Sequence, residues 1–412
     1  MSKPSTSVML RRRNRCPVGL PDRLRDDLRY GPRWRSGFMG GPRIHVVHVA
    51  PTGFGEEGLF GGGERYPLEL ARAVAGLDGV TCELVTFGPR AATFHDDTNP
   101  HLRVRVVKSL GHLGHHPAHP VAPGLVAGLR DADVVHTHQI RSTPSRVAAI
   151  VRRLQRRRVV VTDHGLAGSD WRGIVPSLFD QLLAVSRYSA SLLDVPADNT
   201  HVIYGGADPD RFAPDRRELR RGVLFVGRLT PHKGIDRLLQ ALPHEANLTI
   251  AGTAGHDREP PERDYPMYLR RLAAGPDVQF LTGVDDLALA GLYRQAAVVA
   301  VPSVHVTCYG RVIEVSELLG LSTIEAMASG TPVVASRLGG LSELVVDGET
   351  GYLVTPGDIA ELHDRLRELL DNPRLATRMG DNARSLVLDR YTWNRTAQRC
   401  ITAYHQLEAD PA

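Results

Sequence analysis

Lysine is almost missing from this sequence: Lys3, Lys108 and Lys233 are the only three among fifty basic residues. Positive charge is carried by arginine, so a lysine inside a motif stands out. Cysteine is scarce too. Cys16, Cys82, Cys308 and Cys400 are scattered without C-x-x-C spacing, which argues against a disulfide framework or a zinc site and suits a reducing cytoplasm. No apolar run reaches the roughly 18 residues of a bilayer-spanning helix. The N-terminal segment lacks the apolar core of a signal peptide, and no G-K-[S/T] is present to make an ATP-type phosphate loop.

What is present reads as globular. With 412 residues, 42% hydrophobic and 23% charged, the chain is expected to make two or three domains. The net charge of +4 hides an asymmetry: residues 1–42 hold Lys3 and nine arginines against three aspartates, a balance of +7, which leaves −3 for the rest. The basicity belongs to the tail, so the body gives no warrant for binding nucleic acid. With Arg11-Arg12-Arg13 and no sustained period, residues 1–42 read as a disordered basic extension. It is either a solvated extension, an upstream start with Met39 as the working one, or a segment that touches anionic lipid.

From Arg43 the pattern changes. Ile44 to Val49 reads as a buried strand, Pro51 to Gly63 as a glycine-rich loop and Glu64 to Leu77 as a helix. A strand, a glycine loop and a helix place backbone amides where an anion can sit, which makes Gly62 and Gly63 candidate ligand contacts. The alternative is a plain turn. Strands follow at Thr81–Phe87 and Leu102–Val107, then a histidine-rich segment, GHLGHHPAHP, read as a solvated loop rather than a metal site. His136 and His138 end one strand and His164 the next; polar residues at the carboxyl ends of parallel strands face the ligand crevice. Residues 223–301 repeat the strand–helix alternation, so a second doubly wound α/β sheet is expected.

The densest stretch runs from Glu314 to Gly351. Glu317 and Glu325 stand eight positions apart around Gly320, followed by Gly330-x-Pro332-Val333-Val334 and Gly339-Gly340-x-x-Glu343. A helix start that attracts phosphate, next to carboxylates that accept hydroxyl protons, suits a polyhydroxylated anionic ligand. Ser322-Thr323-Ile324-Glu325 also reads as a capping box, in which Glu325 only reaches back to its own helix start. The whole pattern resembles the donor-site signature of family 4 retaining glycosyltransferases, which have the GT-B fold of two Rossmann-like domains.

That resemblance implies a set of roles. Gly227-Arg228-x-x-x-x-Lys233-Gly234 looks like the family's diphosphate clamp. Arg228, Lys233 and the amides near Gly320, Leu321 and Ser322 would stabilise charge on the diphosphate, Glu325 would hold ribose hydroxyls and Glu317 those of the donor sugar. His164, in Thr-x-His-Gly, is similar to the histidine that approaches the donor sugar. The implied boundaries are a first domain over 43–203, a nucleotide-sugar-binding domain over 204–388 and a C-terminal helix over 389–412 that crosses back. Trp393 either pins that crossing or is an ordinary core residue. Two departures stand out: residues 304–316 are longer than the family leads one to expect, and Leu319 replaces a common aromatic.

The implied activity moves a sugar from a nucleotide-diphosphate donor to a hydroxyl acceptor with retained anomeric configuration. In the family's usual account the departing phosphate oxygen takes the acceptor proton. No cofactor and no metal are expected; Asp131-x-Asp133 and Asp208-x-Asp210 resemble metal-holding acid pairs, but Pro209 favours a turn. The acceptor (a sugar, a lipid-linked glycan or a small molecule) is open. A cytoplasmic location is expected, with a lipid-linked acceptor able to draw the protein to a membrane surface. The alternatives are a GT-B nucleotide-sugar epimerase or hydrolase, and a non-catalytic nucleotide-sugar-binding subunit.

Overall fold

The computed structural model describes residues 44–51, 62–115, 118–164, 175–193, 197–215, 217, 219–255, 260–275, 277–315 and 317–409. The basic extension and most of the first glycine loop lie outside these residues, as does His116.

Pro42–Ala412 form one unit with two sheets. The first sheet is built from β1 (Ile44–Val49), β2 (Val80–Gly88), β3 (Ala92–His95), β4 (Leu102–Lys108), β5 (Val134–His138), β6 (Arg158–Thr162), β7 (Gln181–Ala184) and β8 (Thr200–Val202), in the order β3-β4-β2-β1-β5-β6-β7-β8. All its pairs are parallel except β3 with β4. Strands such as β1 and β6 are valine-rich because both faces are covered, as parallel sheets require. The exposed antiparallel strand β3 was not foreseen, since it offers no buried apolar run.

The second sheet holds β9 (Arg221–Val226), β10 (Leu248–Ala251), β11 (Val278–Leu281), β12 (Ala296–Val301), β13 (Val333–Ser336) and β14 (Gly351–Val354), in the order β11-β10-β9-β12-β13-β14. Every pair is parallel. In each sheet the chain moves outward on one side of its first strand and then restarts on the other. The reversal lies between β1 and β5 in the first sheet and between β9 and β12 in the second. Ligands of open α/β sheets bind outside the carboxyl ends of the strands at such a reversal.

One apolar cluster runs across both sheets. It includes Val46, Val134 and Val160 of the first sheet, Leu224, Val299 and Val333 of the second, and Tyr66, Trp393, Ala397 and Tyr404. Helix α1 (Gly62–Ala75) supplies Tyr66, and the last helix, α2 (Trp393–Ala409), supplies Trp393 and Tyr404. The Trp393 ring meets Tyr66 edge-on, with centroids 5.0 Å apart. Helix α1 begins at Gly62 and ends at Ala75, two residues earlier at each end than its spacing suggests.

Polar ties join the same two regions. The Glu343 carboxylate accepts hydrogen bonds from the amides of Arg187 (3.0 Å) and Tyr188 (2.7 Å) and from the Tyr204 hydroxyl (3.1 Å). The Ser186 hydroxyl donates to the Leu318 carbonyl at 2.5 Å, and the Tyr66 hydroxyl donates to the Tyr204 carbonyl. Among the described residues no helix is long and apolar enough to cross a membrane.

Because Glu343 satisfies two amides at the start of a short helix, Glu343→Ala is expected to lower stability by about 1–3 kcal/mol, the cost of losing charged hydrogen bonds. Urea unfolding of the variant beside the wild type measures it; an unchanged midpoint would show that solvent replaces the carboxylate without loss.

Candidate functional site

At the reversal of the second sheet, β9 exits into Gly227 and Arg228, then a short turn at Pro231–Lys233. Gly234 follows at φ 65°, a left-handed conformation, and a Cβ there would sit 2.0 Å from the Pro302 carbonyl oxygen. Only glycine fits such an approach. The turn therefore docks against the exit of β12, where Ser303 stands.

This docking converges three side chains. Lys233 Nζ lies 2.5 Å from Glu317 Oε1, and the Ser303 hydroxyl donates to the same oxygen at 2.5 Å. Glu317 is 6% exposed. Burial would push its carboxyl upward, but the Lys233 ammonium and the Ser303 hydroxyl outweigh that and hold it below the usual carboxylate range. Sequence reasoning named Lys233 and Glu317 but missed Ser303, whose only signal was its place at the end of a strand.

Arg228 lines a neighbouring hollow of 230 Å³ together with Thr230, His232, Glu262, Thr307 and Arg311. The unexpectedly long 304–316 segment thus forms part of that wall. A bridge between Val306 and Val312 closes it into a small loop. Burial pushes the Cys308 thiol up to about 11, which makes it a poor nucleophile.

Gly320 caps helix α3 (Leu321–Ala328) from a left-handed φ of 104°, and a Cβ there would come within 2.6 Å of Leu341. The first-turn amides of Leu321 and Ser322 have no acceptor within the helix. No side chain caps this start. The capping-box reading of Glu325 is therefore incorrect: its carboxylate accepts from the Tyr293 hydroxyl at 3.0 Å and lies 3.5 Å from the Arg65 guanidinium. Burial raises the Glu325 carboxyl above its ordinary range, with Arg65 and Tyr293 opposing. Arg65 belongs to α1, 260 positions away in sequence, and no local pattern could have revealed that contact.

His164 sits apart from the lysine–glutamate pair, in a histidine cluster on the first sheet. β1 and β5 pair His48 with His136, and β5 and β6 pair His138 with Thr162. Strand period then turns all of these to one face, the face covered by α1 and α2. His164 Nε2 lies 3.1 Å from His138 Nδ1, and its ring is 4.4 Å from that of Tyr66. Helix α1, opened by Gly62 and Gly63, reaches both groups: Arg65 touches Glu325 and Tyr66 touches His164.

The acid pairs have structural uses. Asp208 Oδ1 accepts from the amides of Asp210 (2.9 Å) and Arg211 (3.2 Å), and Asp133 Oδ2 accepts from the His45 amide at 2.8 Å. Among the described residues, the one histidine and acid grouping with metal-like spacing is His48, His136 and His138, not the 112–119 segment.

Burial depresses all four clustered imidazoles: His48 and His164 to about 3, His136 and His138 well below 6.5 with neighbouring imidazoles adding to the effect. The folded protein holds them neutral, so acid loads protons onto the unfolded chain first. Their contribution is complete above about pH 6.5 and is lost progressively as pH falls toward about 3, at up to about 1.4 kcal/mol per histidine per pH unit. Melting at about pH 5 is expected well below that at about pH 7.5; equal melting temperatures would mean that these rings are solvated.

The two doubly wound sheets, each with a reversal of the kind at which such sheets take ligands, define a GT-B protein, and solved structures agree. Sucrose-phosphate synthase from Thermosynechococcus elongatus superimposes with a TM-score of 0.68 at 22% identity, covering 89% of this chain and all of that one. Anabaena HepE in complex with UDP-glucose gives 0.67 at 20% identity over the same share. The profile of Glycosyl transferases group 1 matches residues 207–386 and that of Glycosyltransferase Family 4 matches residues 60–211. The GDP-mannose-dependent alpha-(1-6)-phosphatidylinositol monomannoside mannosyltransferase of Mycolicibacterium smegmatis is 30% identical over 361 residues, 77% of this chain and 89% of that one. The chain belongs to the family 4, group 1 glycosyltransferases. Against other curated relatives, such as the MMP alpha-(1->4)-mannosyltransferase of Mycolicibacterium hassiacum (34% over 237 residues), the match spans about half of their length, here 54%.

Proposed function

We propose that this protein transfers a sugar from a nucleoside-diphosphate sugar to a hydroxyl acceptor with retention of configuration, and that it needs no metal to do so. The observation that carries the reading is the convergence of Lys233, Glu317 and Ser303 at the reversal of the second sheet, with Arg228 on the adjoining hollow. As the glycosidic bond breaks, charge grows on the departing diphosphate. Arg228, Lys233 and the free amides at the start of α3 supply preorganised positive partners for it. Glu317, ionised and oriented, accepts hydroxyls of the donor sugar, and Glu325 accepts those of the ribose. His164, neutral, stands at the sugar end. The departing phosphate oxygen receives the acceptor proton on the same face, so no separate general base is required. The use of Asp208 and Asp133 as backbone acceptors supports the metal-free reading.

Nucleotide sugars are the direct test. A ligand at about a hundred times its dissociation constant raises stability by about 2.7 kcal/mol. In a thermal-shift panel begun with GDP-mannose and UDP-glucose, one donor class is expected to raise the melting temperature equally with magnesium or EDTA. No response to any donor would remove the donor-site assignment, and a response abolished by EDTA would remove the metal-free one. Free sugar released without an acceptor would favour a hydrolase instead, and tight binding with no turnover a non-catalytic subunit.

Lys233→Ala should lower turnover by about 10²–10³, the usual effect of deleting one preorganised partner of developing charge. Wild-type kinetics from the folded variant would take Lys233 out of the site. Glu325→Gln keeps an acceptor for Tyr293 but weakens the ribose contact, so the donor dissociation constant should rise about tenfold, one ordinary charged hydrogen bond. An unchanged thermal-shift titration would restrict Glu325 to a packing role.

A further inference from the structure

The three buried histidines behind His164 have no part in the proposed reaction, yet their geometry is specific. His48 Nδ1 lies 3.2 Å from His138 Nε2, and His138 Nδ1 lies 3.1 Å from His164 Nε2. The ring centroids of these pairs are 5.5 and 5.4 Å apart, and their planes differ by 18° and 12°. Those centroid distances are about the largest that such nitrogen separations permit. Each pair is therefore close to coplanar and end to end, with one nitrogen's lone pair on the line of the other's N–H. That is the geometry of an N–H···N hydrogen bond.

A metal centre would need something else. His48, His136 and His138 do offer ligand atoms within 4.8 Å of one another. Coordination requires lone pairs that converge on one point, whereas the facing nitrogens of His48 and His138 point at each other. Both nitrogens of His136 are taken by hydroxyls, Tyr404 at 2.6 Å and Thr162 at 2.7 Å. His136 instead lies over the His138 ring at 4.6 Å and keeps it in line.

A neutral imidazole has one N–H and one bare nitrogen. Each link in this chain joins Nδ1 of one ring to Nε2 of the next. Two N–H groups, or two lone pairs, cannot face each other across 3.2 Å without repulsion. All three rings must then carry the proton on the same nitrogen, all Nδ1 or all Nε2. At the far end, His48 Nε2 is buried and has no hydrogen-bond partner among the described residues. With all protons on Nδ1, His164 offers a donor at its outer nitrogen; with all on Nε2, it offers an acceptor.

We propose that His48 and His138 are positioning residues that set, through this hydrogen-bonded chain, whether His164 presents a donor or an acceptor to the donor sugar. The inference rests on the place given to His164 above. The three rings share one tautomer; exchanging it would require one proton to enter at His48 Nε2 as another leaves His164 Nδ1, and no such exchange is part of the proposal. Neutral rings are what the chain needs, and burial keeps them neutral near pH 7.

The test is nitrogen NMR of the full chain labelled with ¹⁵N-histidine, reading both ring nitrogens of His48, His138 and His164 at neutral pH. The same protonated nitrogen in all three, with His48→Phe shifting His164 toward mixed tautomers, is the result expected. His48→Asn, which keeps a polar atom at the Nδ1 position, should retain the wild-type signature at His164. His48→Phe should also lower turnover about five- to tenfold, the scale of one oriented hydrogen bond. Different tautomers within the wild-type chain would overturn the proposal, and so would a His164 signal indifferent to His48→Phe. Stoichiometric zinc binding that perturbs these three rings would overturn it in favour of a metal site. The wild-type spectrum decides even if His48→Phe does not fold. A His164→Ala variant with normal turnover would instead remove the reading of His164 and leave the chain of tautomers standing.

Discussion

A buried carboxylate must be paired, and here the pairing is between Glu317 and Lys233. An uncompensated charge at that depth costs several kcal/mol, whereas a close ammonium and a hydroxyl largely offset the desolvation. Much of the local backbone follows from this contact. Gly234 lets the Lys233 turn press on the Pro302 carbonyl, and the exit of β12 delivers Ser303 to the same oxygen. Charge held in fixed geometry is the condition for preorganised electrostatics to act on a reaction. A lone lysine in an arginine-rich chain is suited to it, because a compact ammonium can approach one oxygen closely where a planar fork would seek two.

The second constraint is the joining of the two sheets. Helix α1 contributes Arg65 to the carboxylate on α3 and Tyr66 to the aromatic packing under His164, so one helix bears on both groups of candidate side chains. Helix α2 closes the same core with Trp393 and brings the Tyr404 hydroxyl to His136. Glu343 and Ser186 add polar ties between segments far apart in sequence. A packed core of this kind resists continuous deformation.

The readings that succeeded and failed differ in the range of the interactions behind them. Strands rich in valine, the alternation with helices and the turn glycines are local; β1 and β5 stand where the pattern placed them, and β6 ends at Thr162, two residues before His164. The edge strand β3 escaped because an exposed antiparallel strand needs no apolar signature. The capping box failed for the opposite reason: the helix starts at Leu321 with Gly320 as its cap, so Ser322 is already inside it, and Glu325 turns to Tyr293 and Arg65 instead. The histidine-rich 112–119 segment drew the eye by composition, while the histidines that come together are His48, His136, His138 and His164, spread over 117 positions.

Its resemblance to a known family grouped Lys233, Glu317 and Glu325, while by itself the sequence determined the doubly wound α/β character and the glycine-shaped turns after β9 and before α3. These follow from hydrophobic period and from backbone conformations that few residues can adopt, both written in neighbouring residues. Tertiary structure alone decided that Ser303 shares an oxygen with Lys233, that Arg65 faces Glu325 and that His48 and His138 line up behind His164. Those contacts depend on strand register and on helix packing across the core, and register is set by pairings between segments that the chain order does not name.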